Sequence, residues 1–249
     1  MELAGRHAIV TGGGRGIGAA IAAAFTNAGA DVTILGRNEG ALRNLIAEGH
    51  AARSIVADIT DEAGLIGALL PLARVDILVN NAGGVETERF LTSDTALFER
   101  MMAVNFYGAT FATRAVLPRM LASGFGRVIN IASTASQKGY TYVSAYCAAK
   151  HALLGFTRAL ALEMAQSAVT VNAICPGYTD TSLVASSIAT IIERTGRDEG
   201  TARAALAAAN PQKRLIQPDE VAAAACYLAS AAARGVTGQA LGISGGEVM

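Results

Sequence analysis

The sequence has no tryptophan and only three cysteines, Cys147, Cys175 and Cys226. No two of them have the CxxC spacing of a metal or redox site. An odd number of cysteines without a secretory signal also argues against a disulfide framework. We interpret them as small buried apolar residues with reduced thiols, which predicts a cytoplasmic protein without a metal site.

An excess of charge of one sign is also absent. The 20 Lys and Arg residues balance the 20 Asp and Glu residues, so neither nucleic acid nor an anionic membrane is expected as a partner. The N-terminus carries Glu2 and no long apolar run, unlike a signal peptide, and the apolar stretch at 221–233 is too short to span a bilayer. Hydrophobic residues still make up 52% of the chain, enough for the large core of a soluble protein.

What the sequence does contain is a regular alternation of short β-branched runs and longer helical stretches. The strand runs are apolar throughout, as in strands that are buried on both faces. Such alternation implies parallel pairing through right-handed crossovers. The prediction is one α/β domain over 1–249, with a doubly wound parallel sheet of about seven strands and helices on both faces. The expected strands are 7–11, 31–36, 53–58, 75–81, 127–133, 169–174 and 239–244, and the first helices are 16–28, 39–48 and 61–70.

The segment 178–216 departs from this alternation. It is long, helical in composition, and follows the carboxyl end of a strand, where ligands bind in open α/β sheets. Two interpretations stay open, a helical substrate lid or a solvated helical excursion.

A glycine-rich stretch, TGGGRGIG (11–18), follows the first strand directly and opens a helix. Glycines let the backbone approach a pyrophosphate, and a helix N-terminus offers free N–H groups and a positive dipole end. The spacing differs from the common GxGxxG pattern, so the strand–turn–helix context carries the prediction of a nucleotide site. The alternative is a turn that serves only helix–strand packing.

The end of the second strand bears on which dinucleotide would bind. NAD-binding folds usually place an acid here for the ribose hydroxyls, but this sequence has Gly36 followed by Arg37. Arg37 suits a 2′-phosphate, and Arg15 could add a second cation. NADP(H) is therefore predicted, with NAD(H) possible if Arg37 is only a solvated loop residue.

Tyr146 and Lys150 stand four residues apart in YCAAKHALLGF (146–156), a stretch with the composition of a helix, and so share one helix face. A phenol has an ordinary pKa of about 10, and a neighbouring cation lowers that pKa toward the range useful for acid–base catalysis. Taken alone, the pair is equally typical of a helix surface.

Several motifs occur together in one order: TGGGRGIG, NNAG (80–83), Asn105, Ser133, YCAAK (146–150) and PGYTDT (176–181). Together they resemble the short-chain dehydrogenase/reductase family over nearly the whole chain. The resemblance implies a Rossmann-like fold, a nicotinamide cofactor, interconversion of a ketone and a secondary alcohol, and usually a homotetramer.

By this resemblance, Tyr146 is the catalytic acid/base and Lys150 its partner, Ser133 orients the substrate, and Asn105 supports the lysine through water. Cys147 departs from the usual Ser or Thr, for which a minor effect is expected. The expected cofactor-binding residues, from the resemblance and from the charge argument above, are Thr11, Gly12, Arg15, Gly16, Ile17, Gly18, Arg37, Asp58, Ile59, Asn81, Ala82, Gly83, Tyr146, Lys150, Pro176, Gly177, Thr179 and Thr181.

The expected substrate contacts are Ser133, Tyr140 and Tyr146, although Tyr140 is equally consistent with a plain loop aromatic. The catalytic stretch and long lid are similar to those of polyketide ketoreductases and hydroxyacyl-CoA dehydrogenases, which favours a 3-oxoacyl thioester or related ketone. A cyclic or aromatic secondary alcohol is the alternative substrate, and a non-catalytic NADP-binding sensor is a remote one. Helices near 103–121 and 150–165 carry apolar residues on more than one side and are the expected subunit contacts.

Overall fold

The computed structural model describes residues 2–249. Within that range a parallel sheet of seven strands has the order β3-β2-β1-β4-β5-β6-β7. Its strands are β1 (His7–Thr11), β2 (Asp31–Gly36), β3 (Arg53–Val56), β4 (Ile77–Asn80), β5 (Gly126–Ile131), β6 (Val169–Pro176) and β7 (Ala240–Ile243). This order confirms the predicted doubly wound α/β fold.

Helices cover both faces of the sheet because the strands are apolar on both sides. One core contains Val10 and Ile34 of the sheet with Phe25 of the first helix, and the other contains Ile9 and Leu78 with Val116. The helices are α1 (Gly16–Asn27), α2 (Glu39–Ala47), α3 (Glu62–Leu69), α4 (Thr95–Met102), α5 (Gly108–Ser123), α6 (Ser144–Glu163), α7 (Ser182–Thr195), α8 (Glu199–Ala207) and α9 (Pro218–Ala229).

The strand order reverses at the junction of β1 and β4. The chain runs from β1 outward to β3 and then returns to pair β4 against the other side of β1. Such a reversal opens a crevice at the carboxyl ends of the strands, which is where ligands bind in open α/β sheets. The glycine loop that follows β1 lies at this crevice.

Several predicted strand boundaries differ from the structure by one or two residues, and three differences in strands and helices bear on the site. The third strand ends at Val56 rather than at residue 58, because Asp58 turns the chain by accepting hydrogen bonds from Thr60 N and Oγ1. The stretch predicted as one helix over 103–121 begins with a π-helical turn, Ala103–Tyr107, before α5. The helix expected near 150–165 begins earlier, at Ser144, so Tyr146 lies in its first turn.

The segment after β6 forms α7 and α8, which share a small apolar cluster that includes Val184, Ile188, Ala202 and Leu215. A bridge between Thr179 and Ile216 ties the two ends of the segment together. The segment therefore packs partly against itself, as a lid would, and its role as a lid stays a prediction.

Over residues 2–249, no helix is both long enough and apolar enough to cross a membrane. The same residues contain no group of three or more His, Cys, Asp or Glu side chains arranged to hold a metal ion.

Candidate active site

The glycine loop is packed so closely at Gly12 and Gly18 that a side chain at either position would clash. A Cβ at Gly12 would lie 2.8 Å from Ala82 Cα, and Gly12 also has a φ of +62°. A Cβ at Gly18 would lie 2.3 Å from the Gly12 carbonyl oxygen. These glycines let α1 begin directly against the end of β1, which aims its N-terminus at the crevice.

The N-terminus of α1 is free to bind an anion. The residue before its first turn, Arg15, is exposed and makes no side-chain capping hydrogen bond, and the first turn carries no acid. Its unpaired N–H groups and positive dipole end suit a phosphate. Ile17 lies partly buried in this first turn. The residues present therefore fit the pyrophosphate of a dinucleotide.

Thr11 and Asn81 join the glycine loop to the end of β4. The Thr11 hydroxyl accepts hydrogen bonds from the backbone N–H groups of Asn81 and Ala82, at 3.0 and 3.1 Å. The Asn81 amide in turn donates to the carbonyl oxygens of Thr11 and Gly12, at 2.9 and 3.1 Å. The two loops at the crevice are thus one hydrogen-bonded unit.

The loop after β6 approaches the glycine loop from the other side. A Cβ at Gly16 would lie 3.1 Å from Thr181 Cγ2. Thr181 donates to the Thr179 carbonyl oxygen, and Thr179 to that of Gly177, so the loop is held by its own threonines. Pro176 ends β6 beside Ile243 of β7.

Arg37 and Asp58 form an ion pair at the edge of the crevice. Arg37 Nη1 lies 3.6 Å from Asp58 Oδ2, and the Arg37 side chain is exposed. Hydrogen bonding from the Thr60 backbone, with help from Arg37, lowers the pKa of Asp58. Ile59 next to it is buried against Gly108. The cation predicted to discriminate between cofactors is therefore solvent-accessible and beside Asp58, another of the expected cofactor-binding residues.

Tyr146 and Lys150 lie one turn apart on α6. The Lys150 ammonium is buried, donates to the Ile131 carbonyl oxygen at 2.9 Å, and lies 5.8 Å from the centre of the Tyr146 ring. Among residues 2–249 no carboxylate lies within ion-pair distance of Lys150. One backbone carbonyl group at the carboxyl end of β5 thus accepts a hydrogen bond from this ammonium.

Burial shifts both groups toward their neutral forms. It raises the pKa of Tyr146 to about 12, against a smaller opposing effect of the Ser133 hydroxyl. It lowers the pKa of Lys150 to about 8. The lowering of the tyrosine pKa expected from its cation is therefore not found here, because the loss of hydration on burial is the largest influence on the Tyr146 phenol. Tyr146 keeps its proton at neutral pH, the state from which it can donate.

Asn105 lies in the π-helical turn, which widens the helix and turns this side chain inward. Its amide donates to the carbonyl oxygens of Gly84 and Met101, and its carbonyl oxygen accepts from Gly84 N. A Cβ at Gly83 would lie 2.7 Å from Asn105 Oδ1 and 3.6 Å from Lys150 Nζ. Asn105, Gly83 and Lys150 therefore converge, and the support of the lysine by Asn105 through water stays a prediction.

Ser133 follows the end of β5 and caps a short 3₁₀ turn, Thr134–Ser136, by accepting from Ala135 N at 3.1 Å. That turn is packed against α6. Ser133 itself is partly exposed, and its hydroxyl lies close to Tyr146. A hydrogen-bond donor and a proton donor therefore lie near each other, as a pair that binds one carbonyl oxygen requires.

Tyr140 has a partner that the sequence did not reveal. Its hydroxyl donates to Glu247 Oε1 at 2.5 Å and contacts the Thr134 hydroxyl at 2.6 Å. The Glu247 side chain is only 1% exposed and also pairs with Lys138. Glu247 stands 107 residues from Tyr140, and only its position after a Gly-Gly pair hinted at a special placement.

The fold and site together are those of a dinucleotide-dependent oxidoreductase, because a helix start suited to an anion and a tyrosine–lysine pair border one crevice. The sequence model of the family described as short chain dehydrogenase matches residues 6–191. The chain belongs to that family, whose members use a nicotinamide cofactor.

Named relatives and a solved structure agree with this assignment. The chain is 38% identical to a cis-4-hydroxycyclohexanecarboxylate dehydrogenase of Sinomonas cyclohexanicum, over 97% of this chain and 96% of the relative. It is 35% identical to a D-beta-hydroxybutyrate dehydrogenase of Rhizobium meliloti (strain 1021), over 97% and 98%. The crystal structure of a variant of actinorhodin polyketide ketoreductase with NADPH matches with a TM-score of 0.93 and 34% identity, covering 97% of each chain.

Proposed function

We propose that this enzyme uses NADP(H) to interconvert a ketone and a secondary alcohol, with reduction of a 3-oxoacyl thioester or related ketone as its main reaction. The observation that carries the proposal is the buried Lys150 ammonium beside Tyr146, without a carboxylate partner among residues 2–249. A cation left unneutralised next to a phenol stabilises the phenolate that forms when the phenol gives up its proton.

The residues of the chain divide the work of proton transfer and orientation. Ser133 donates a hydrogen bond to the carbonyl oxygen of the substrate, and Tyr146 gives its proton to that oxygen as negative charge develops. Lys150 stabilises the resulting phenolate, and Asn105 holds the backbone at Gly84 beside the lysine. The nicotinamide cofactor, when bound, supplies the hydride. In the oxidative direction Tyr146 takes the proton back.

The preference for NADP(H) rests on Arg37, Arg15 and the absence of an acid at Gly36. Both arginines are exposed at the crevice edge, where the 2′-phosphate of NADP(H) would lie. The NADPH in the similar ketoreductase structure supports the choice. Measuring kcat/KM with NADPH and with NADH tests it, and a higher value with NADH would contradict it.

The thioester substrate is proposed from the likeness to a polyketide ketoreductase. A cyclic secondary alcohol is the alternative, favoured by the likeness to a dehydrogenase of a hydroxylated cyclohexane acid. Acetoacetyl-CoA, free acetoacetate and a series of cyclic ketones should be assayed side by side with NADPH. Turnover of the cyclic ketones alone would favour the alternative.

Catalysis rather than sensing is tested at Tyr146. Tyr146→Phe removes the proton and keeps the ring, so kcat should fall by roughly 10²–10⁴-fold while NADPH binding persists. A Phe variant with unchanged turnover would leave a non-catalytic NADP-binding sensor as the better explanation.

Three further features are part of the proposal: a substrate lid over 178–216, a homotetramer and a cytoplasmic location. Light scattering tests the tetramer.

A further inference from the structure

We propose that Glu247 is a positioning residue, which holds the Tyr140 ring in place as a wall of the substrate site from the C-terminal end of the chain. The inference rests on the proposed ketone reductase function and adds to it a residue that controls substrate binding.

The Glu247 carboxylate is buried and has unequal surroundings at its two oxygens. Oε1 accepts from the Tyr140 hydroxyl at 2.5 Å and pairs with Lys138 Nζ at 2.9 Å. Oε2 is buried and has no hydrogen-bond partner among residues 2–249. A buried carboxylate with one unsatisfied oxygen costs folding free energy, so its place calls for a role other than stability.

The direction of the hydrogen bonds around Tyr140 follows from counting protons. A phenol has one proton, and the Glu247 carboxylate has none to give, so Tyr140 donates to Glu247. The contact with Thr134 must then run the other way, with the Thr134 hydroxyl donating to the Tyr140 oxygen at 2.6 Å. The Tyr140 hydroxyl is therefore hydrogen-bonded to protein groups on both sides, and only the ring of Tyr140 is left to contact the substrate.

This chain of hydrogen bonds ends at the catalytic segment. Thr134 is buried and follows Ser133 directly, within the 3₁₀ turn that Ser133 caps. The Tyr140 ring also packs edge-on against the Tyr178 ring, with centroids 6.3 Å apart. Glu247 thus fixes the ring between the substrate-orienting serine and the start of the predicted lid.

Glu247 also contacts the loop after β6. A Cβ at Gly177 would lie 3.0 Å from Glu247 Oε2, so the carboxylate fills the space that a side chain at Gly177 would need. One carboxylate therefore touches both the 134–142 segment and the predicted cofactor loop. The two residues that precede Glu247 in the chain, Gly245 and Gly246, both have positive φ.

The test compares Glu247→Ala, Glu247→Gln, Tyr140→Phe and the double variant E247A/Y140F. Glu247→Ala and Tyr140→Phe should each raise the KM for the ketone by about fivefold, the effect of one hydrogen bond of ordinary net strength, with kcat within about twofold. The double variant should be no worse than either single one, because both remove the same bond. Glu247→Gln keeps an acceptor for Tyr140 and should recover most of the loss.

Glu48→Ala is the matched control, because Glu48 is an exposed carboxylate after α2 that faces His50. It should leave every constant unchanged. If Tyr140→Phe leaves the KM unchanged while Glu247→Ala raises it, or if the two effects multiply, Glu247 does not act through Tyr140. A merely structural role would instead raise the KM for NADPH and lower kcat to the same extent as it changes the KM for the ketone.

Failure of this inference can be told apart from failure of the proposed function. A wild-type enzyme that reduces no ketone would overturn the function. The hydrogen bond is then tested by urea unfolding of the same four variants, in which additive effects of E247A and Y140F would overturn the coupling. Should Glu247→Ala fail to fold, Tyr140→Phe and Glu247→Gln decide the question.

Discussion

The Lys150 ammonium lies 5.8 Å from the centre of the Tyr146 ring, one turn further along α6. Burial acts on the two groups in opposite directions, and it leaves the pKa of Tyr146 at about 12 and that of Lys150 at about 8. At neutral pH the pair is therefore a neutral phenol beside a cation. The neighbouring cation lowers the free energy of the negatively charged phenolate that forms when the phenol gives up its proton.

The pH profile of ketone reduction should reflect Lys150. Tyr146 stays protonated over the accessible range, whereas Lys150 loses its proton as the pH rises through about 8. Since kcat/KM for the ketone reports groups of the enzyme before the ketone binds, it should be flat below pH 8 and fall above it with the slope of a single ionisation. Initial rates between pH 6 and 10 with saturating NADPH provide the measurement, and a flat profile up to pH 10 would contradict the assignment.

Removing the buried charge should stabilise the fold while it abolishes activity. In the folded state the pKa of Lys150 is depressed from 10.5 to about 8, so folding is penalised wherever the unfolded chain holds the proton more tightly. Lys150→Met should raise the free energy of unfolding by about 2 kcal/mol at pH 7, after allowance for the lost hydrogen bond to Ile131.

The sign of the pH dependence provides the control for this variant. The penalty in the wild type is full below pH 8 and shrinks as the pH rises toward 10.5, whereas the lost hydrogen bond to Ile131 costs the Met variant stability at every pH, so its advantage should be gone by about pH 10. Urea unfolding at pH 7 and pH 10 measures the difference. A Met variant less stable than the wild type at pH 7 would mean that the Ile131 contact outweighs the cost of burial.

The glycine loop should tolerate no side chain at Gly18. A Cβ there would lie 2.3 Å from the Gly12 carbonyl oxygen and 2.5 Å from Asn81 Nδ2, so the loop must move away from β4. Gly18→Ala should weaken NADPH binding at least tenfold and lower the free energy of unfolding by about 2 kcal/mol. Isothermal titration and urea unfolding measure the two effects.

Gly67 provides the matched control, because it is exposed in α3 and a Cβ there would meet no atom within 4 Å. Gly67→Ala should raise the free energy of unfolding by about 0.5–1 kcal/mol through helix propensity, with NADPH binding unchanged. Equal losses in the two alanine variants would refute the steric explanation.

The parts that the sequence predicted well are those with a local signal. Apolar runs located the strands, and the glycines from Gly12 to Gly18 between a strand and a helix located the tight turn from β1 into α1, because period and glycine placement act over a few residues. The pairing of Tyr146 with Lys150 followed from the geometry of one helical turn.

The parts that escaped prediction depend on contacts between distant segments. Glu247 meets Tyr140 across 107 residues, and no local pattern encodes that contact. The π-helical turn that holds Asn105 has the composition of an ordinary helix. The raised pKa of Tyr146 depends on burial by several elements, which the cation at Lys150 could not indicate by itself.

Cofactor preference should be reversible at the end of β2. Arg37 is exposed and pairs only weakly with Asp58 at 3.6 Å, so Arg37→Ala should lower kcat/KM with NADPH by about tenfold to a hundredfold, as expected for loss of a charge-assisted contact, and leave NADH almost unaffected. Gly36→Asp restores the acid that binds ribose hydroxyls, and a Cβ there meets only Leu42 Cδ2 at 3.7 Å, an ordinary contact. The double variant G36D/R37A should therefore prefer NADH.

Steady-state kinetics with both cofactors measure the ratio of the two kcat/KM values. Arg43→Ala on α2 is the control for loss of a nearby cation, because Arg43 pairs with Glu39. A ratio that stays at the wild-type value in the double variant would show that Arg37 is a solvated loop residue without a part in cofactor choice.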